Sequence, residues 1–301
     1  MKSKDVLALF GLAALWGASF LFIRIASPVI GPFLTIQGRV SIAGFVLLLI
    51  IWMTKQSAGF RARWKQYLII GALNAAIPFT LIAFAALHLN ASLSAILNSM
   101  TPLFTALVAW LWLKERLTPR KWIGIALGMI GVIVLVGWSR VPFTQEVFLS
   151  IGLCTLSTIS YSFAGVYAKK AFVGVPALSV AMGQQMGAAA LLFPLTIMFL
   201  PAAAAPVPSL VIYSVLGLAL LCTAIAYLLY FYLIANVGPT KTLSVTFLIP
   251  LFGMLWGVIF LQEPITSGMI AGLAIILCSI LFISDIPLHL ERSERQKVAG
   301  H

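Results

Sequence analysis

Charge is scarce in this chain. Asp, Glu, Lys and Arg make up 9% of its 301 residues, against about 25% in an ordinary soluble domain. Acids are the scarcest, with seven Asp and Glu against 19 Lys and Arg. The three cysteines, Cys154, Cys222 and Cys278, lie far apart inside apolar runs. That spacing excludes a disulfide scaffold, a paired-cysteine redox motif and a thiolate metal site, and the three are expected as packing residues. His88, His289 and His301 are equally scattered, so no metal is expected. The chain also lacks a glycine-rich phosphate loop, a pair of central carboxylates and any His or Lys at the depth of Ser19. These gaps exclude nucleotide hydrolysis, paired-acid catalysis and an intramembrane serine hydrolase, and no cofactor is expected.

Hydrophobicity fills the space that charge leaves. Apolar residues account for 62% of the chain and the mean hydropathy is +1.10. Apolar runs of about 20 residues recur along the whole length, which is the length that crosses a bilayer. Charges, prolines and polar clusters divide the chain into ten stretches, near 5–26, 31–54, 65–88, 91–113, 119–138, 146–170, 176–199, 209–235, 240–261 and 265–285. The expected fold is an all-α polytopic membrane protein. The N-terminus, MKSKDVLALFGLAALWGASFLFIRIA, starts basic as a signal peptide does, but its apolar run is too long and no small-residue cleavage site follows. It is expected to stay as the first span.

Placing the N-terminus in the cytoplasm puts sixteen of the basic residues in inner segments, from Lys2 and Lys4 to Arg292, Arg295 and Lys297. The outer loops then carry Arg140 alone, and Arg24 and Arg39 lie within spans. Such a bias orients both termini inward. The formal charge of +12 is therefore matched to lipid headgroups, not to nucleic acid.

The sequence is also written twice. GLAALWGASFLF at Gly11 parallels GLCTLSTISYSF at Gly152, and NSMTPLFTALVAWLWLKERLTPRKWIGIA from Asn98 parallels TFLIPLFGMLWGVIFLQEPITSGMIAGLA from Thr246. Pro102 meets Pro250, Glu115 meets Glu263, Thr118 meets Thr266 and Gly124 meets Gly272. Each copy holds five spans, so the second enters the membrane from the opposite side. The expected units are 1–140 and 141–301, the latter ending in a short cytoplasmic tail. Inverted repeats of this kind suit a secondary transporter, which opens a central site alternately to either side.

The start WGASFLFIRIA, the embedded Arg39, the segment TPLFTALVAWLWLKERLTPRKWIGIALGMIGVIVL and its C-terminal copy resemble the drug/metabolite transporter superfamily, EamA type. The resemblance covers essentially the whole chain. It implies a bacterial inner-membrane exporter of amino acids, including aromatic ones, and related metabolites. Helices 1 to 4 and 6 to 9 would surround a cavity while helices 5 and 10 lie outside it. Arg24 departs from the Lys that such sequences often carry and keeps its charge.

An intramembrane charge is costly, so each one invites a role. Arg39 lies about eight residues into its span, with no acid at that depth. Its guanidinium can take backbone carbonyls, amides, water or a solute carboxylate, and ligand and scaffold roles both stay open. Gln184, or Gln185 with a one-residue shift, is its repeat counterpart. Arg24 is expected to snorkel. Ser94, Asn98, Thr101 and Thr105 share one helical stripe; Ser94 and Thr105 read as packing, Asn98 as a ligand. Pro78, Pro102 and Pro250 should bend their helices near mid-membrane, as hinges. Trp16, Ser19, Phe79, Tyr161, Tyr227 and Tyr230, with Asn74, Asn98, Thr101 and Gln185 between them, would wall a pocket for an amphipathic solute. Core packing is the competing reading of those aromatics.

Glu115 and Glu263 end helices 4 and 9 and read as structural, paired with Lys114, Arg116 or a helix N-terminus. Thr118 and Thr266 are expected to cap the helices that follow. Gly124, Gly128, Gly268 and Gly272 permit close packing, between the repeats or in a homodimer. The same scaffold would serve a nucleoside, organic-cation or drug exporter, and a membrane enzyme or assembly protein is the alternative of a different class.

Overall fold

The apolar stretches fold as helices throughout. The computed structural model describes residues 1–55, 59–138, 144–200 and 206–283, and no strand occurs among them. Arg140, His289, His301 and the basic residues of the tail lie outside the described residues. Eight helices are long and apolar enough to cross a membrane: α1 Ser3–Ile30, α2 Pro32–Met53, α3 Phe60–Ala85, α4 Ala91–Leu113, α5 Pro119–Trp138, α6 Gln145–Ala171, α7 Ala177–Met198 and α8 Ser209–Val237. Two shorter apolar helices complete the bundle, α9 Val245–Leu261 and α10 Ser267–Ile283. A single helical turn, Pro239–Thr242, leads into α9.

Helix ends follow local chemistry. The Asn90 side chain accepts the Leu93 N–H at the start of α4, and Thr144 accepts that of Val147 at the start of α6. Thr118 and Thr266 take the N–H groups of Lys121 and Met269, as N-caps should. Gly31, at φ 80°, makes the tight turn into Pro32, the first residue of α2.

The prolines and the polar stripe reshape the central helices. Pro102 has no N–H for the Asn98 carbonyl four residues back. The helix breaks there into Ala91–Asn98 and Thr101–Leu113, and the Thr101 hydroxyl donates to the Asn98 carbonyl at 2.8 Å. In α3 a π-helical stretch, Ala72–Ala76, precedes Pro78. A second one, Gly217–Ile225, occupies the matching part of α8, which has no proline. The break before α9 falls at Leu243–Ser244, ahead of Pro250, which sits inside the continuous helix.

Packing has two-fold symmetry between the repeats. The α1–α9 contact has its mate in α6–α4, α1–α8 in α6–α3, and α2–α8 in α7–α3; α2–α7, α4–α9 and α5–α10 are their own mates. The C-terminal end of α9 lies on the N-terminal end of α4, through Glu263 and Ala91, so equivalent helices run in opposite directions. The repeats are inverted.

Helices α5 and α10 stand aside from the rest and pack chiefly on each other. A Cβ at Gly131 would come within 3.1 Å of the Ile276 nitrogen, and one at Gly272 within 2.6 Å of the Leu135 Cβ. Gly124 and Gly128 press on Ser279 in the same seam, and Gly268 is buried too. The glycine stripe is therefore used within one chain, between the two repeats. Outward surfaces are apolar, with Leu7, Trp52, Ile133 and Trp138 all more than half exposed, as lipid contact requires. Cys154 and Cys222 are buried as expected, whereas Cys278 is exposed and does not pack.

Candidate functional site

Five helices bring polar groups together in the middle of the bundle. Arg39 of α2 is buried at 5% exposure. Its Nε donates to the Thr223 Oγ1 of α8 at 3.0 Å, and its guanidinium carbon lies 3.7 Å from the centre of the Phe79 ring of α3. The Tyr161 ring of α6 meets Phe79 edge-on at 6.2 Å. Beside this cluster runs a short relay. Asn74 Nδ2 of α3 donates to Gln184 Oε1 of α7 at 2.7 Å, and Gln184 Nε2 donates to the Tyr227 hydroxyl of α8 at 2.7 Å.

The π stretches make this possible. A π turn shifts the register of side chains by one residue and frees a carbonyl, a feature common at functional sites. The Thr223 hydroxyl donates to the carbonyl of Leu218, five residues back, at 2.7 Å, and so presents its lone pairs to Arg39. The Leu73 carbonyl in the π stretch of α3 accepts from Ser160 of α6 at 2.7 Å, which leaves Asn74 free to reach α7. Arg39 has no carboxylate partner among the described residues: Asp5, Glu115, Glu146 and Glu263 all lie at helix ends.

The other expected site residues divide. Trp16 packs on Tyr230 at 5.5 Å between ring centres, and Tyr230 continues through Phe231 to Tyr227. These rings form one wall beside the polar cluster. Asn98 is half-buried at the break in α4, with no hydrogen-bond partner for its Oδ1. Ser19 Oγ and both ends of the Gln185 amide are buried without partners as well. Thr101 serves its own helix, and Thr105 and Ser94 make packing bonds, to Ser162 and to the Asn90 carbonyl.

Two placements are finer than the sequence resolves. Gln184, not Gln185, joins the relay between Asn74 and Tyr227; adjacent helical positions point about 100° apart, and the repeat alignment left both open. Arg24 donates to the carbonyls of Ala86 and Leu87 and so caps the C-terminal end of α3. Thr223 shares the four-and-three helical spacing of Tyr227 and Tyr230, but its contact with Arg39 has no sequence signal, since neither π stretch announces itself.

The model of one family, described as the EamA-like transporter family, matches residues 3–137 and then matches again over 148–285. The chain belongs to the EamA-like transporter family. Its two matches coincide with the two inverted repeats. A relative in Bacillus subtilis (strain 168), the uncharacterized transporter YvbV, is 28% identical over 99% of this chain and 95% of its own length. Protein PecM of Dickeya dadantii (strain 3937) is 25% identical over 99% and 96%. The uncharacterized inner membrane transporter YedA of Escherichia coli (strain K12) is 26% identical over 94% and 93%. A solved crystal structure at 20% identity shares the fold, with a TM-score of 0.66 over 94% of this chain and 96% of its own. The EamA assignment makes this chain a membrane transporter and not an enzyme.

Proposed function

We propose that the chain is a secondary transporter that exports small amphipathic metabolites, amino acids first among them and aromatic ones included, across a bacterial inner membrane. The observation that carries this reading is Arg39, a buried guanidinium with no acidic partner among the described residues. A buried cation that lacks a protein carboxylate is suited to a solute carboxylate, since a charge-assisted fork supplies both the charge and the geometry. Phe79, Tyr161, Tyr227, Trp16 and Tyr230 supply the apolar walls that an amphipathic solute needs. Ser19, Asn98, Gln185 and the Asn74–Gln184 pair offer polar atoms for an amino group, and Thr101 lines the same break. The central positive charge disfavours organic cations, so a drug or nucleoside exporter is the weaker use of the same scaffold.

In this reading the units 1–140 and 141–301 cross the membrane five times each. Both termini are cytoplasmic, and the solute gradient drives transport. Pro78, Pro102 and Pro250 act as hinges, with the α4 break at Pro102 the most developed. The deciding experiment is transport by purified protein in liposomes. Labelled amino acids should move down their gradients. Movement of other solutes alone, with every amino acid retained, would overturn the substrate assignment.

A further inference from the structure

Glu115 and Glu263 occupy the same place in the two repeats, and their backbones agree in detail. Each follows a residue in the left-handed region, Lys114 at φ 55° and Gln262 at φ 54°. Each N–H reaches six residues back, from Glu115 to the Ala109 carbonyl at 3.4 Å and from Glu263 to the Gly257 carbonyl at 3.2 Å. The same turn thus presents the same carboxylate at opposite ends of the bundle. Their surroundings are nevertheless different.

Glu263 is docked on the other repeat. Its carboxylate accepts from the Ala91 N–H at 2.7 Å, the Ser92 N–H at 2.9 Å and the Ser92 hydroxyl at 2.5 Å. Gly257 makes the approach possible, because a Cβ there would lie 2.6 Å from Ser92 Oγ and collide with Glu263 itself. Glu115 is half exposed and, among the described residues, pairs with Lys169 at 3.6 Å across an exposed pair. Helix packing shows the same asymmetry. The first half of α4 packs against α9, whereas its second half turns to α6, and Thr101, Phe104 and Thr105 of that half are only partly buried. The carboxylate is docked across the repeats at the Glu263 end and undocked at the Glu115 end.

We infer that Glu263 and Glu115 are a reciprocal pair of gating residues, each shutting one mouth of the bundle by docking on the start of its inverted mate, and never both at once. This rests on the transport reading above. Repeat symmetry aligns Ala91 and Ser92 with Pro239 and Thr240, so the first two residues of the turn before α9 are where Glu115 docks when the other mouth opens. The two closures are unequal. Pro239 has no N–H to offer, and Ala109 carries a methyl group where Gly257 carries none. The Glu263 closure therefore has one more donor and a closer approach, and the conformation shut at that end is the resting one. Glu263 and Glu115 are positioning residues that act on the pathway without touching the solute.

The test needs no solute and so stands apart from the substrate assignment. Spin labels at His88→Cys with Ile265→Cys report the Glu263 mouth, and Arg116→Cys with Lys241→Cys report the other, in a Cys278→Ser background. The unmodified gate should give a short first distance and a long second distance with a short minority. Glu263→Gln points an amide N–H₂ at donors. It should lengthen the first distance and enlarge the short minority of the second by about tenfold, the scale of one charge-assisted hydrogen bond. Glu115→Gln, at an exposed position that folding tolerates, should abolish that minority and leave the first distance unchanged. Superimposable distributions in all three proteins would overturn the proposal, as would both distances lengthening together in Glu263→Gln. If Glu263→Gln does not fold, Glu115→Gln decides: a retained minority overturns the pairing.

Discussion

Arg39 combines two contacts that a lysine cannot reproduce together. Its planar group lies over Phe79 while Nε donates to Thr223, and the terminal nitrogens remain for a ligand. Arg39→Lys keeps the charge but loses the fork and the stacking. Both Arg39→Lys and Arg39→Gln should weaken binding of a carboxylate-bearing solute by roughly tenfold to a hundredfold, the scale of a hydrogen bond to a charged group. Equilibrium binding measured beside the melting temperature checks this. A lowered melting temperature with unchanged affinity would make Arg39 a scaffold residue. The depth of Arg39 and the lack of an acid near it were legible in the sequence. Its partner Thr223 was not, because that contact depends on a register shift that no residue type announces. Gln184 and Gln185 show the same limit at finer grain: a repeat alignment good to one residue cannot choose between neighbours that face different ways.

At the scale of the helices, polar residues resolve the defects that allow the site to form. The Thr223 hydroxyl closes the π turn on Leu218 and accepts from Arg39, and Ser160 satisfies the Leu73 carbonyl. Thr223→Val keeps the shape and removes both bonds. It should cost about 1–2 kcal/mol of stability, read by thermal unfolding in detergent, since hydrogen bonds between membrane helices are worth that at most. The α5–α10 seam works through the absence of side chains. Gly131→Val would drive a branched side chain into the Ile276 backbone, and overpacking of this kind costs about 1–3 kcal/mol. The variant should melt early; a melting point equal to the parent's would show that the seam can part without loss. Helix positions and caps were legible because apolar run length and Thr, Asn and Pro placement act locally. The four-residue turn before α9 was hidden because its composition continues the apolar run.

For the molecule as a whole, the proposed orientation rests on an odd number of helices per repeat and on the bias of Lys and Arg. A reporter fused before Asp5 and one inserted beside Arg140 should face opposite compartments, measured with a pair of enzymes active on one side only. The same compartment for both would remove the inverted geometry from the membrane context. Fold and family were legible because hydropathy and self-similarity are whole-chain signals. The difference between the two ends was not, since Glu115 and Glu263 sit in nearly the same local sequence and part company only in what lies opposite.

The two-fold exchange of helix partners has one more consequence. Because α1 leans on α9, α2 on α7, α3 on α6 and α5 on α10, almost every large contact joins residues on either side of the segment between α5 and α6. Cutting the gene there severs one peptide bond and leaves the interlocking surfaces whole. Two polypeptides made together from such a split gene should recognise each other in the bilayer and co-purify. That would be the behaviour of a duplicated ancestor whose halves once assembled as separate, oppositely inserted molecules.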